Sequence, residues 1–300
     1  RQTKQLVSQF DGIRQSVDIE FVHRGRVASR RLRTALQMFA DLVGADQAKR
    51  WRKQIRRLTD SLSQPRDRDV QIEFLTGLLS DLDEPDSYPG IVMVLARLEG
   101  QRQRLQPAVV AALDRFESAG TAKAVLAITK SRLSHLEKGS LALSSPHLLA
   151  RTEALVGDRL KAFLAHQASL HDPTDGTCHH RMRIAAKRLR YTLEICGPAQ
   201  EGRLDPFIDA VKKLQSILGD IHDCDVWNAY LDKVLNRQRK KTLAYFGHLA
   251  PLKRLQIGVD HLRQRSAEAH ELLFCDLSRY WNVLEEEKTW EELARTISAA

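Results

Sequence analysis

The sequence predicts an all-α protein with two similar halves. Three observations carry this reading. Apolar residues recur at spacings of three and four through segments of roughly 15 to 30 residues. No alternating strand pattern and no Asn-Gly or Asp-Gly hairpin signal stands out. One basic pattern occurs twice, which marks an internal repeat.

The chain has 300 residues, enough for one large core or two modest ones. Its 43% apolar and 28% charged content exclude general disorder. The 15 glycines and 9 prolines are few and fall at breaks: Gly12, Gly44, Pro65, Pro85, Pro89, Gly120, Gly139, Pro146, Pro173, Gly176, Gly197, Pro198 and Pro251. Helices of this length joined by short turns suggest bundles. The small, weakly charged stretch from Lys138 to Pro146 reads as a linker. It predicts a first bundle over residues 1–140 and a second over 146–300.

The longest apolar runs, such as Ile91–Ala96, cannot cross a bilayer, so no membrane partner is expected. No secretory signal opens the chain, and the missing initiator Met predicts a fragment or a processed product. Cys178, Cys196, Cys224 and Cys275 lack CxxC spacing and are expected to be free buried thiols in a reducing compartment, with no metal among their partners. The net charge of +9 points to a polyanionic partner.

The repeat locates that charge. His23-Arg24-Gly25-Arg26-Val27-Ala28-Ser29-Arg30-Arg31-Leu32-Arg33 aligns with His180-Arg181-Met182-Arg183-Ile184-Ala185-Ala186-Lys187-Arg188-Leu189-Arg190 at an offset of 180 − 23 = 157. A second block follows each copy. Arg56-Arg57-Leu58 precedes Arg66-Asp67-Arg68-Asp69-Val70, and Lys212-Lys213-Leu214 precedes His222-Asp223-Cys224-Asp225-Val226.

At about 100° per residue, Arg26, Arg30 and Arg33 fall within about 80° of His23, while Ala28, Leu32, Leu36 and Phe39 fall opposite. His180, Arg183, Lys187 and Arg190 repeat the stripe against Ala185, Leu189, Leu193 and Cys196. No acid lies between Val22 and Ala40 or between Cys178 and Thr192. The helix after the first stripe adds Lys49, Arg50, Arg52, Lys53, Arg56 and Arg57. Such crowding costs folding free energy unless an anion or nearby carboxylates relieve it. Arginine, with its planar fork, suits phosphate oxygens.

These paired blocks resemble the CHAD (conserved histidine α-helical domain) family over nearly the whole chain. The resemblance implies two pseudo-symmetric helical bundles around a basic central cavity that binds inorganic polyphosphate. It also implies a cytoplasmic protein, associated with polyphosphate granules, and a fused or partner triphosphate-tunnel domain. Carried over by position, the polyphosphate-binding residues are His23, Arg26, Arg30, Arg31, Arg33, Arg56 and Arg57, then His180, Arg183, Lys187, Arg188, Arg190, Lys212 and Lys213. Gly25, where the second copy has Met182, departs from the shared pattern and either allows a close approach or is merely tolerated.

Other readings stay open. The same stripes could serve a nucleic-acid-binding protein, with duplex DNA disfavoured by a narrow trough. The Asp-x-Asp pairs are expected to cap helices or to hold stripe arginines rather than to bind metal. His222-Asp223 resembles the dipeptide of metal-dependent phosphohydrolases, but Arg66 replaces His222 in the first copy. No catalytic residue and no cofactor is expected, because no phosphate loop, nucleophile elbow or zinc-helix motif appears. Trp227, Trp281, Trp290, Phe246 and Tyr280 are expected in the core rather than as stacking platforms.

Overall fold

The computed structural model describes residues 1–136 and 146–298. Among these the chain is all-α, with no strand. It divides into two compact units, Arg1–Leu141 and Ala142–Ala300. The linker expected from Lys138 to Pro146 falls outside the described residues except for Pro146 itself, which starts a helix.

The first unit contains α1 (Gln2–Val7), α2 (Phe10–Gln15), α3 (Ile19–Met38), α4 (Ala40–Val43), α5 (Ala45–Ser61), α6 (Ser63–Ser80), α7 (Tyr88–Ser118) and α8 (Thr121–Leu136). A short 3-10 turn, Pro85–Ser87, leads into α7. The left-handed Ser16 ends α2, and the Asp18 carboxylate accepts from the Glu20 amide to start α3. Helix α3 packs against α1 and α5. Leu6, Phe10, Ile13, Val22, Leu32, Leu36, Trp51, Ile55, Leu58, Leu113 and Phe116 form the core between them. Each fully buried Leu or Ile there contributes about 1.5–3 kcal/mol.

Gly25 has a definite reason. A Cβ at this position would stand 2.9 Å from Ile13 Cδ1 and 3.7 Å from Leu62 Cδ1. The bare backbone lets α2 and the α5–α6 corner close on α3.

The second unit contains α9 (Pro146–Leu164), α10 (Gly176–Cys196), α11 (Asp205–Phe246), α12 (Ala250–Glu286) and α13 (Thr289–Ser298). Short 3-10 turns, Gln167–His171 and Gly197–Gln200, flank α10. The Asp175 carboxylate accepts from the Cys178 amide and starts α10. Helix α10 packs on α9 and α11, and α11 runs along α12. Phe163, Trp281 and Trp290 form an aromatic cluster with centroids 5.2–5.8 Å apart. Trp281 and Trp290 are therefore core residues. Phe246 is not, for it is half exposed at the end of α11; Trp227 and Tyr280 are only partly buried. Periodicity marks an apolar position without saying whether a neighbour covers it.

Helices α3 and α10 bury the same register. Val22, Gly25, Ala28, Ser29, Leu32 and Leu36 are buried on α3. His179, Met182, Ala185, Ala186, Leu189 and Leu193, the residues 157 further on, are buried on α10. Among the cysteines, Cys196 and Cys224 are buried free thiols, Cys178 is partly covered, and Cys275 is exposed, against expectation.

Candidate functional site

In the first unit the basic stripe lies on α3 and meets α5 and the start of α6. At its N-terminal end His23 has its pKa lowered by partial desolvation and then by the Arg66 charge. Arg66 Nη1 lies 3.6 Å from Glu20. Arg26 donates to the Leu62 carbonyl at 3.2 Å and stands 3.9 Å from Asp67. It therefore fastens α3 to the α5–α6 corner as well as carrying charge.

The other end is more one-sided. Arg33 has its pKa lowered by burial and then by the charge of Arg56, with Arg52 and Arg30 adding to the effect and Asp60 opposing it. Arg33 Nε is buried without a hydrogen-bond partner. Arg52 donates to Gln37 Oε1 at 3.1 Å, and Arg56 Nε stands 3.5 Å from Asp60. Four guanidinium groups thus crowd around one exposed carboxylate.

In the second unit α10 brings His180, Arg183 and Lys187 to α11, where they meet His222. The His180 and His222 rings have centroids 4.4 Å apart and planes tilted by 40°. Desolvation, followed by Arg183, His180 and Lys187, lowers the pKa of His222 to about 4. The pKa of His180 is lowered by burial, Arg183 and Lys187, and its Nδ1 is buried without a hydrogen-bond partner. Both rings are neutral at pH 7, so Arg183 and Lys187 carry the charge there. Burial raises the pKa of Asp220, against the pull of Arg183. Arg190 at the far end pairs with Glu194 at 3.5 Å and lies over the Tyr191 ring.

Not every expected site residue joins these faces. Arg31 and Arg188 each lie about 80° from the histidine on the side away from the rest of the stripe, outside the arc that Arg26, Arg30 and Arg33, or Arg183, Lys187 and Arg190, span. Arg188 instead lines a separate hollow of about 280 Å³ with Arg159, His166 and Arg181, on the side of α10 toward α9. Arg57 is exposed about 100° around α5 from Arg56. Lys212 is exposed about 80° around α11 from His222, and Lys213 lies about 180° away. The Lys213 ammonium sits 4.0 Å from the Tyr280 ring centroid, on the side of α11 toward α12.

Conversely, His222, Arg66 and Arg52 belong to the faces but were not among the site residues expected. His222 and Arg66 occupy matching positions, 222 − 66 = 156, one residue off the histidine offset. Arg52 precedes Arg56 by one helical turn, and that spacing was the available signal.

The Asp-x-Asp pairs lie inside helices rather than at helix starts: Asp67 and Asp69 in α6, Asp223 and Asp225 in α11. Of the expected pairings with stripe arginines, Asp67 stands 3.9 Å from Arg26, while the partners of Asp69 and Asp225 lie off the stripes. Asp69 is buried and accepts from Arg102 Nε at 2.6 Å, and Asp225 stands 3.7 Å from His270. Among the described residues no three His, Cys, Asp or Glu side chains come together to hold a metal ion.

Comparison with known proteins completes the picture. No curated protein matches the chain. A crystal structure of the CHAD domain from the plant Ricinus communis matches with a TM-score of 0.63 and 22% identity, covering 95% of this chain and 88% of that one. At that identity the likeness establishes the fold. The CHAD domain family model matches residues 1–232, and the chain belongs to that family.

Proposed function

We propose that this chain binds inorganic polyphosphate, the role known for its family, without catalysing a reaction of it. The observation that carries the reading is Arg33. Its guanidinium is partly desolvated beside Arg30, Arg52 and Arg56, with a buried Nε that no protein acceptor meets. A protein tolerates such an arrangement when a polyanion completes it, because the like charges otherwise repel. In the second unit Arg183 and Lys187 offer cations beside two neutral histidines, which can donate to non-bridging oxygens and gain a proton as the phosphate arrives.

Affinity comes largely from counterion release and falls steeply with salt, as for nucleic acid. The decisive test is titration calorimetry with long-chain polyphosphate on wild type and on Arg30→Glu/Lys187→Glu. The double variant is expected to lose binding while its far-UV circular dichroism stays helical. Equal binding by the variant overturns the proposal. Displacement of polyphosphate by DNA at equal phosphate concentration identifies a nucleic-acid binder instead. Steady phosphate release with Mg²⁺ or Mn²⁺ identifies a phosphohydrolase.

A further inference from the structure

The family match ends at residue 232, but α11 continues to Phe246 and returns as α12. The two arms are antiparallel partners. Ser266 Oγ donates to the Cys224 carbonyl at 3.2 Å, and Arg263 pairs with Asp232. The turn is closed by Gly247, left-handed at φ 73°, whose amide donates to the Leu243 carbonyl at 2.9 Å.

The sequence changes character along this segment. From Lys233 to Val259 there is no acid, while Lys233, Arg237, Arg239, Lys240, Lys241, Lys253 and Arg254 are all basic. The tip between the two innermost cation pairs, Thr242 to Leu252, has no Asp, Glu, Lys or Arg. It exposes large apolar groups: Tyr245 is 83% exposed, Phe246 51% and Leu243 51%. The Tyr245 and Phe246 rings pack edge-on, with centroids 4.8 Å apart.

We propose that this tip docks on an anionic lipid surface. An apolar tip flanked on both arms by cations suits a membrane interface. Lys240 and Lys241 lie about 8–9 Å behind Phe246 along α11, and Lys253 and Arg254 about 5–6 Å behind Ala250 along α12, at about 1.5 Å per residue. An apolar tip buried about 5–10 Å into the headgroup boundary would bring that cation collar to the phosphates. Bare polyphosphate would use the cations and leave the aromatic rings without a role. A nucleic-acid strand would favour cations interleaved with the rings, whereas here they are set back from them. No spanning helix is needed for such a contact, and no helix of the described residues is long and apolar enough to cross a membrane.

The test is co-sedimentation of the full chain with vesicles of phosphatidylcholine, with and without phosphatidylglycerol. Wild type is expected to bind only the anionic vesicles. Tyr245→Ser/Phe246→Ser should bind them about tenfold more weakly, and Lys240→Glu/Lys241→Glu should lose binding as well. Polyphosphate affinity of the aromatic variant should be unchanged, which separates this surface from the α3 and α10 faces. Phe246→Trp should show a blue-shifted emission on anionic vesicles and none on neutral ones. No binding to anionic vesicles, or equal binding by the aromatic variant, overturns the proposal. So does a single-stranded oligonucleotide whose binding the aromatic variant loses while vesicle binding is absent.

Discussion

The His180 and His222 rings stand 4.4 Å apart between α10 and α11, and each is held neutral by burial and by the cations of α10. An unfolded histidine titrates near 6.5, whereas His222 in the fold titrates at about 4. Between those values the unfolded chain binds a proton that the folded chain refuses. Stability therefore falls as pH drops from about 6.5 toward 4 and levels off below. The expected loss from His222 is about 1–3 kcal/mol, and thermal melts of His222→Gln should be flatter over that window.

Polyphosphate bound as proposed should reverse the balance at the same pair. Its negative charge should raise both histidine pKa values, so that binding is expected to take up protons and to tighten between pH 7 and 5. Calorimetry in buffers of different ionisation enthalpy measures that uptake. Wild type is expected to take up protons on binding near pH 6, and His180→Gln/His222→Gln to take up fewer.

Arg33 is expected to link stability and binding with opposite signs. Replacing it with Met keeps an unbranched side chain and removes one of four crowded charges. Arg33→Met should leave stability unchanged or raise it by up to about 1 kcal/mol, while weakening polyphosphate binding and making it less salt-dependent. Denaturant melts and a salt series of binding isotherms read the two effects. A loss of both stability and binding would make Arg33 a packing residue.

The helices, the buried stripe of α3 and its match on α10 are legible because burial follows the 3.6 period directly. So are His23, Arg26, Arg30 and Arg33, which share one side of one helix. The flanking positions are less legible because a motif is linear and a helix is not. Arg188 and Lys213 are neighbours in sequence of face residues but turn toward α9 and Tyr280. His222 and Arg66 join the faces only because α11 and α6 bring them there. Asp69 looked like a cap because it precedes an apolar run, but α6 starts at Ser63 and carries it inward to Arg102.

Lys213 therefore gives a clean contrast with the faces. Lys213→Ala removes a cation over Tyr280 and should cost about 0.5–1 kcal/mol of stability or less. Polyphosphate affinity should change less than twofold, against a loss of tenfold or more for Lys187→Ala. A comparable loss at both positions in the same calorimetric titration would place Lys213 among the binding residues after all.

Gly25 tests the packing beneath the first face. Gly25→Met introduces the residue that α10 carries at the matching position, Met182, which is fully buried there. In α3 the same side chain must pass Ile13, whose Cδ1 lies 2.9 Å from where its Cβ would stand. Overpacking of this kind costs about 1–3 kcal/mol, more than the roughly 1 kcal/mol of helix propensity gained by losing glycine. Gly25→Met should thus melt lower than wild type, and adding Ile13→Ala should restore part of the loss by opening room for the new side chain. If the double variant is as unstable as the sum of the singles, the clash with Ile13 is not what glycine avoids.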